Sequence, residues 1–431
     1  MMRKGYILSN IRIVEVGEGR VGPWAGLLLR DLGAEIIKVE SITRPDMTRG
    51  VTRISFPASP TGAALAPDYP DGIPGERHWN RCCEFTARNQ GKLGITLDLA
   101  KPQGLEVFLR LIKVSDAFYS NMAVGAAEKL CITYADLVKV NPNIIYLSST
   151  GYGRQGPYAL QVAMGSTIDA AAGIFGLRDY GDGDSTAVSP DTHCDSIGAL
   201  SNALGLIFAL YHRQKTGKGI YIDSSMVEPS MTHIGEAIMD YTMNGRVWRS
   251  LGNRDMTMSP QGCYPCQGKD QWVTFSIASD KEWQKLIRVM GMPKLAKDER
   301  FANPLARLKH QDELDELIKA WTAPRTKFEV TELLQKAGIA AGAVLDSADV
   351  YKDPDAQARE FFETVDQPDV GKRALPGRLW KLGDTEVPGR EHAPTLGEHN
   401  DYVLKEIIGL TSEEVAKLER DQIIGTVPIS L

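Results

Sequence analysis

The chain has 431 residues, enough for two or three domains with an ample core. Apolar residues make up 43% and charged residues 24%, with a formal net charge of −6, the balance of a globular protein without the basic excess that nucleic acid demands. No apolar run of transmembrane length is read, and the first residues lack a long apolar segment of signal-peptide type, so a cytoplasmic protein that binds neither nucleic acid nor membrane is expected.

The first predicted strand covers residues 11–16, and the loop Gly17-Glu18-Gly19-Arg20-Val21-Gly22 follows. Pro23 fits the first position of a helix that runs to Leu32 and stops at Gly33. A second strand covers 35–39, with Glu40 at its end. Taken alone, this βαβ opening with a literal G-x-G-x-x-G argues for a dinucleotide site. Its glycines would approach a pyrophosphate and Glu40 would take a ribose hydroxyl, as in an NAD-dependent oxidoreductase. Pro23 and Trp24 argue against it, because a pyrophosphate needs free N–H groups and little bulk there. No later stretch has the character of a hydride-transfer site.

Residues 54–86 are rich in Pro, Gly and aromatic residues, which suits either a substrate-proximal loop or a surface excursion. Pro102 opens a helix that extends to 112, and 116–121 reads as the next strand and its exit. Residues 199–211 form an apolar run of helical length that is hydrophobic nearly all round, which reads as a buried helix. It stops at Thr216-Gly217-Lys218-Gly219, and a strand over 220–223 follows. Asp195 therefore lies at the mouth of that helix. Such an aspartate is either an N-cap or an oriented, ionised carboxylate able to act as a covalent nucleophile, and position alone does not decide between them. Beyond it, 225–244 reads as one helix, 262–277 as a hairpin, and Asp280 opens another helix. The six cysteines, at 82, 83, 131, 194, 263 and 266, are too sparse for a disulfide scaffold. Cys263-Tyr264-Pro265-Cys266 lacks a second pair or spaced histidines, so incidental cysteines on a hairpin are expected and no metal site is read.

Several collinear stretches resemble the class III CoA-transferases, the formyl-CoA and carnitine CoA-transferase family. They are Gly22-Pro23, Leu32-Gly33-Ala34, Lys38-Val39-Glu40, Asn89-Gln90-Gly91-Lys92 before Ile95-Thr96-Leu97-Asp98, Asn121-Met122 through Lys129-Leu130, Thr150-Gly151-Tyr152-Gly153 with Gly156-Pro157-Tyr158, and Asp195 with Thr216-Gly217-Lys218-Gly219. The match spans nearly the whole chain. It implies an α/β fold with a Rossmann-like large domain plus a smaller α+β domain in an interlocked dimer. The expected boundaries are 1–224 for the CoA-binding part, 225–330 for the small domain, and 331–431 for a segment that returns to the large domain. It also implies Asp195 as the nucleophile, working through an aspartyl-CoA thioester with coenzyme A as substrate and product. Gly19, Arg20, Lys92, Asn121, Met122, Ala126 and Lys129 would contact CoA, and backbone N–H groups at the Asp195 helix start would hold the oxyanion. His193 and Cys194 adjoin the nucleophile and are either reactive or packed.

Three departures stand out. Lys129 replaces a common Arg, Arg20 replaces Gln or Ala, and the Gly-rich loop of formyl-CoA transferases has no counterpart in 254–262. The positions where the related α-methylacyl-CoA racemases carry a His-Asp pair are Met164 and Gly165, which favours transfer over racemisation. The long 54–86 segment resembles subunits of benzylsuccinate CoA-transferase. That implies a homodimer, or a heterodimer or heterotetramer with a related chain. Arg44, Arg49 and Arg53, with His78, Trp79 and Phe85, suggest a succinate-type or aryl-substituted dicarboxylate as acceptor.

Overall fold

The computed structural model describes residues 5–50, 69–178 and 192–429. Arg53 and most of the loop before Tyr69 lie outside the described residues. The described part divides into two compact units.

The first unit draws on Met1–Ile174, Ser189–Glu236 and Ala358–Leu431. Its centre is a six-stranded parallel sheet of order β3-β2-β1-β4-β5-β6. The strands are β1 Arg12–Val16, β2 Glu35–Glu40, β3 Leu93–Thr96, β4 Ala117–Ser120, β5 Ile145–Thr150 and β6 Tyr221–Ser225. Alternation of side chains sorts the core. Ile13, Ile36, Ala117, Tyr119, Ile145 and Leu147 enter one cluster, whereas Val14, Ile37, Phe118 and Tyr146 enter the other. The four inner strands β2, β1, β4 and β5 are thus apolar on both faces, as a sheet covered on both sides requires.

Helices α1 (Val21–Asp31), α6 (Gly165–Ala171) and α7 (His193–Thr216) supply the first cluster. The second takes α3 (Pro102–Lys113), α5 (Tyr134–Val140) and apolar residues of the C-terminal segment, among them Val403, Leu404 and Ile423. Two short helices, α2 (Cys83–Arg88) and α4 (Ala126–Lys129), flank the loops at the strands' C-terminal ends. Strand order reverses between β1 and β4, and ligands of open parallel sheets bind outside that switch point.

Several expectations need correction. Pro23 is the third residue of α1 rather than the first, where its missing N–H still costs no intrahelical bond. The 225–244 stretch is not one helix: β6 runs to Ser225, and Val227–Thr232 and Gly235–Asn244 are separate helices. Helix α7 is buried on one face only. Cys194, Gly198, Ala199, Asn202, Ala203 and Leu206 point inward, while Leu200, Leu204, Phe208 and Tyr211 are between 46% and 63% exposed. By length and composition alone α7 could cross a membrane, contrary to the expectation above. It packs against α1, β5 and β6, and Arg213 near its end pairs with Asp116 at 2.7 Å.

The second unit holds Phe175–Val188 and Ala237–Gln357. Its antiparallel sheet joins β7 (Gln261–Pro265), β8 (Trp272–Ser276) and β9 (Ala340–Ala343), and Asp280–Val289 packs its Trp283 and Leu286 into the same apolar cluster. Because β9 completes this sheet, the segment up to Gln357 stays with the second unit, beyond the expected boundary at 330. Cys263 lies on β7 and Cys266 is buried just past it.

Candidate active site

The loop after β1 is tied down from three directions. Asn121, just past β4, accepts the Glu18 N–H at 3.0 Å and donates to the Glu18 carbonyl at 2.8 Å. Asp46 accepts the Gly19 N–H at 3.1 Å. Lys38 Nζ donates to the Gly17 carbonyl at 2.6 Å. A Cβ on Gly22 would come within 2.7 Å of Asn121 Oδ1, so that glycine lets α1 approach Asn121. Glu40, the expected ribose ligand of a dinucleotide site, is buried and spent on Arg49, which grips both its oxygens at 2.8 and 2.7 Å. The glycine motif therefore serves packing, and the dinucleotide reading loses its acidic partner.

Below the loop lies a dry ionic cluster. Lys38 bonds Asp46 and Glu15 at 2.8 and 3.3 Å, and Lys92 bonds Glu15 at 2.8 Å, with all four side chains fully buried. Burial opposes the charge on Lys38, but Asp46, Glu15 and Glu40 raise its pKa above the ordinary lysine value. Lys92 is pushed down to about 8, by burial first and by Lys38 as well, against the pull of Glu15. Two cations and two anions so enclosed are mutually dependent, because removing one partner of a buried pair costs about 3–5 kcal/mol.

Asp195 is the third residue of α7, and the N-cap position belongs to Thr192, whose hydroxyl donates to Asp195 Oδ2 at 2.6 Å. The first N–H groups of the helix are satisfied by another residue. Asp169 on α6, fully buried, accepts from His193 N at 2.8 Å and Cys194 N at 2.9 Å. That corrects two expectations. Asp195 is not the cap, and the His193 and Cys194 N–H groups are not available as oxyanion donors. The Cys194 thiol is buried, donates to the Gly165 carbonyl at 3.1 Å, and is held well above the ordinary thiol pKa by burial and by Asp195 and Asp169. It stays a thiol. His193 is exposed, and neither residue lines the cavity beside Asp195.

That cavity, about 580 Å³, opens over the C-terminal ends of β1, β4 and β5. Asp195 and Thr192 line it with Gly19, Arg20, Asn121, Met122, Glu84 and the 159–166 stretch. A second cavity of about 440 Å³ shares Glu18, Met122 and Ala123 with it and adds Val39, Leu97, Leu99, Ala126 and Arg44. Of the eight residues expected at the site, Gly19, Arg20, Asn121, Met122 and Asp195 line the first cavity, and Ala126 lines the second. Lys92 lies in the ionic cluster instead, and Lys129 is exposed at the end of α4 and lines neither. Phe85 is buried against the Arg49 guanidinium, 3.6 Å from its ring centre, so neither is open to a substrate. Met164 and Gly165 line the first cavity and bring no acid or base to it. Glu84 and Asp169 were not singled out in the sequence. Glu84 lacks a motif, and Asp169 acts on residues 24 and 25 positions away.

Comparison with known proteins follows the same lines. The model of CoA-transferase family III matches residues 8–400. The chain is 29% identical over 417 residues to succinyl-CoA–D-citramalate CoA-transferase of Chloroflexus aurantiacus, covering 97% of this chain and 98% of that one. It is 30% identical over 420 residues to the beta subunit of succinyl-CoA–L-malate CoA-transferase from the same organism, with the same coverage. Among solved structures it is similar to a CAIB/BAIF family protein from Brucella suis, at TM-score 0.82 and 28% identity over 94% of this chain and 100% of that one.

Proposed function

The chain belongs to CoA-transferase family III and is a CoA-transferase, and on that premise we propose that Asp195 carries coenzyme A between two carboxylates. An Asp195 oxygen attacks the donor thioester carbonyl, the C–S bond breaks, and CoA leaves as thiolate with the bonding pair. The thiolate then attacks the Asp195 side-chain carbonyl of the mixed anhydride, releasing the donor as a carboxylate and leaving an aspartyl-CoA thioester. An acceptor carboxylate reverses both steps, so no net proton is needed. The observation that carries this is the division of labour at α7. Asp169 satisfies the helix start, and Asp195, oriented by Thr192, is left lining the cavity.

The paired cavities suit the two ends of an acyl-CoA. The second, with Val39, Leu97, Leu99 and Ala126 for an apolar ring and Arg44 for phosphate, takes the nucleotide end. The first takes the thioester. Relatives named for succinyl-CoA with citramalate or malate, and one named for succinate and glutarate, favour a small dicarboxylate as acceptor and succinyl-CoA as donor. A benzyl-substituted succinate is less favoured, because Phe85 is buried away from the cavity. The occurrence of alpha and beta subunits among relatives supports association with a second copy or a related chain.

Incubation with succinyl-CoA and a panel of acids, read by mass of the CoA products, tests the proposal. Transfer to four- and five-carbon dicarboxylates ahead of formate, carnitine and benzylsuccinate is expected. A preference for formate or carnitine contradicts the substrate assignment, and conversion of NADH with no CoA transfer contradicts the reaction.

A further inference from the structure

The charged side chains lining the first cavity are Glu18, Arg20, Glu84 and Asp195. Glu18 is committed to Arg44 at 2.9 Å. Arg20 Nη2 lies 2.7 Å from Glu84 Oε1, and Arg88, one turn further along α2, reaches the same oxygen at 4.0 Å. Arg88 couples to the three that remain: burial first and the charge of Arg20 lower its pKa, and Glu84 and Asp195 raise it.

At rest, two cations face two anions. Conversion of Asp195 to its thioester removes one anion from this group, at the stage when an anionic acceptor must enter. The Arg20–Glu84 pair is partly open to solvent, with side chains 38% and 31% exposed. Ion pairs of that exposure are weak, so a second carboxylate can share the guanidinium at small cost. Arg20 is also in the wrong cavity for a CoA phosphate, since Arg44 and not Arg20 lines the second one.

We propose that Arg20, backed by Glu84 and Arg88, reads the carboxylate distal to the reacting carbon of the acid and so selects dicarboxylates over monocarboxylates. This rests on the CoA-transfer reading of Asp195, and it reassigns Arg20 from cofactor contact to substrate selection. The selection falls on donor acyl groups and acceptors alike, because each acid in turn occupies the same place beside Asp195.

The test is single-turnover transfer from the preformed enzyme thioester to succinate and to butyrate, acids of equal chain length, in wild type, Arg20→Gln and Arg20→Lys. Wild type is expected to prefer succinate. Arg20→Gln is expected to lower the succinate-to-butyrate ratio of second-order rate constants by about 30-fold, within the range for losing a hydrogen bond to a charged group. Arg20→Lys, which keeps the charge without the fork, is expected to fall between them. An unchanged ratio, with both acids slowed alike, overturns the proposal, as does a wild-type preference for butyrate. A rise in KM for every acyl-CoA regardless of its acyl group also overturns it and returns Arg20 to the cofactor. If wild type forms no thioester at all, the parent reading fails instead, and that outcome is visible before any acceptor is added.

Discussion

Asp195 lies at the start of α7 and Asp169 bonds to that start, and the two differ in what they bond. Asp169 is buried and bonded to two backbone N–H groups; Asp195 is half-buried and bonded to one hydroxyl. Asp169→Ala would take the partner from two backbone donors, of which the buried Cys194 N–H alone costs about 1–3 kcal/mol, and would loosen the turn that aims Asp195. It is expected to lower the urea midpoint clearly and to reduce kcat. Asp195→Asn is expected to abolish transfer and to lower the unfolding free energy by less than about 1 kcal/mol, the worth of one hydrogen bond. Denaturant titration beside activity separates the two, and a larger stability loss in Asp195→Asn than in Asp169→Ala would reverse the assignment. The place of Asp195 at the start of α7 was legible in the sequence because a long apolar run follows it. Asp169 was not, because nothing in a lone aspartate tells that it will meet two N–H groups across the fold.

At the scale of elements, the strands and the helices between them could be read closely, since both-face burial writes continuous apolar runs. The error over α7 came from the same rule. A helix apolar all round was taken as wholly enclosed, but the first unit covers only its small-residue face. The glycine loop misled in the opposite way. Its spacing is that of a phosphate-binding turn, yet Gly22 is there to admit the Asn121 side chain.

The C-terminal segment was expected to return to the large domain, and it docks on the edge strand β3. His399 Nδ1 accepts the Gly94 N–H at 3.2 Å, and Asn400 Oδ1 accepts the Thr96 N–H at 2.8 Å. Glu398 secures the turn before it, bonding His392 Nε2 at 2.6 Å and the Thr395 N–H at 2.7 Å. Burial opposes the Glu398 charge, but His392 and Thr395 hold its pKa down at about 2, and Glu398 in turn raises that of His392. The Glu398 contribution is complete above its ordinary 4.5 and is lost as pH falls towards about 2. The His392 contribution is complete below its ordinary 6.5 and is lost as pH rises through the raised value. Both act between those two ordinary values. Glu398→Gln is expected to cost most near pH ~5.5, at most about 1 kcal/mol for a pair this exposed, and less near pH ~9. A cost that is flat or rises over that interval in urea titrations would contradict the pairing.

For the whole molecule, the exposed stripe Leu200, Leu204, Phe208 and Tyr211 on α7 is one apolar surface among the described residues that a lone chain leaves open. A second copy or a related chain seated there would cover it, in line with the association proposed above. Sedimentation of the purified chain is expected to show a dimer or larger species, and Leu204→Asp with Phe208→Asp is expected to shift it towards monomer. A monomeric wild type with full transferase activity would contradict the association. Sequence reading caught this stripe as apolar and missed its exposure, because an apolar run alone does not tell what covers it.

The central claim is that coenzyme A rests on Asp195 during turnover, and it is most directly tested by giving the enzyme succinyl-CoA without an acceptor, quenching, and mapping the modified peptide by mass spectrometry. The account predicts a CoA adduct on Asp195 that hydroxylamine converts to a hydroxamate at the same residue, absent in Asp195→Asn. An adduct on another carboxylate, or undiminished transfer by Asp195→Asn, would contradict it.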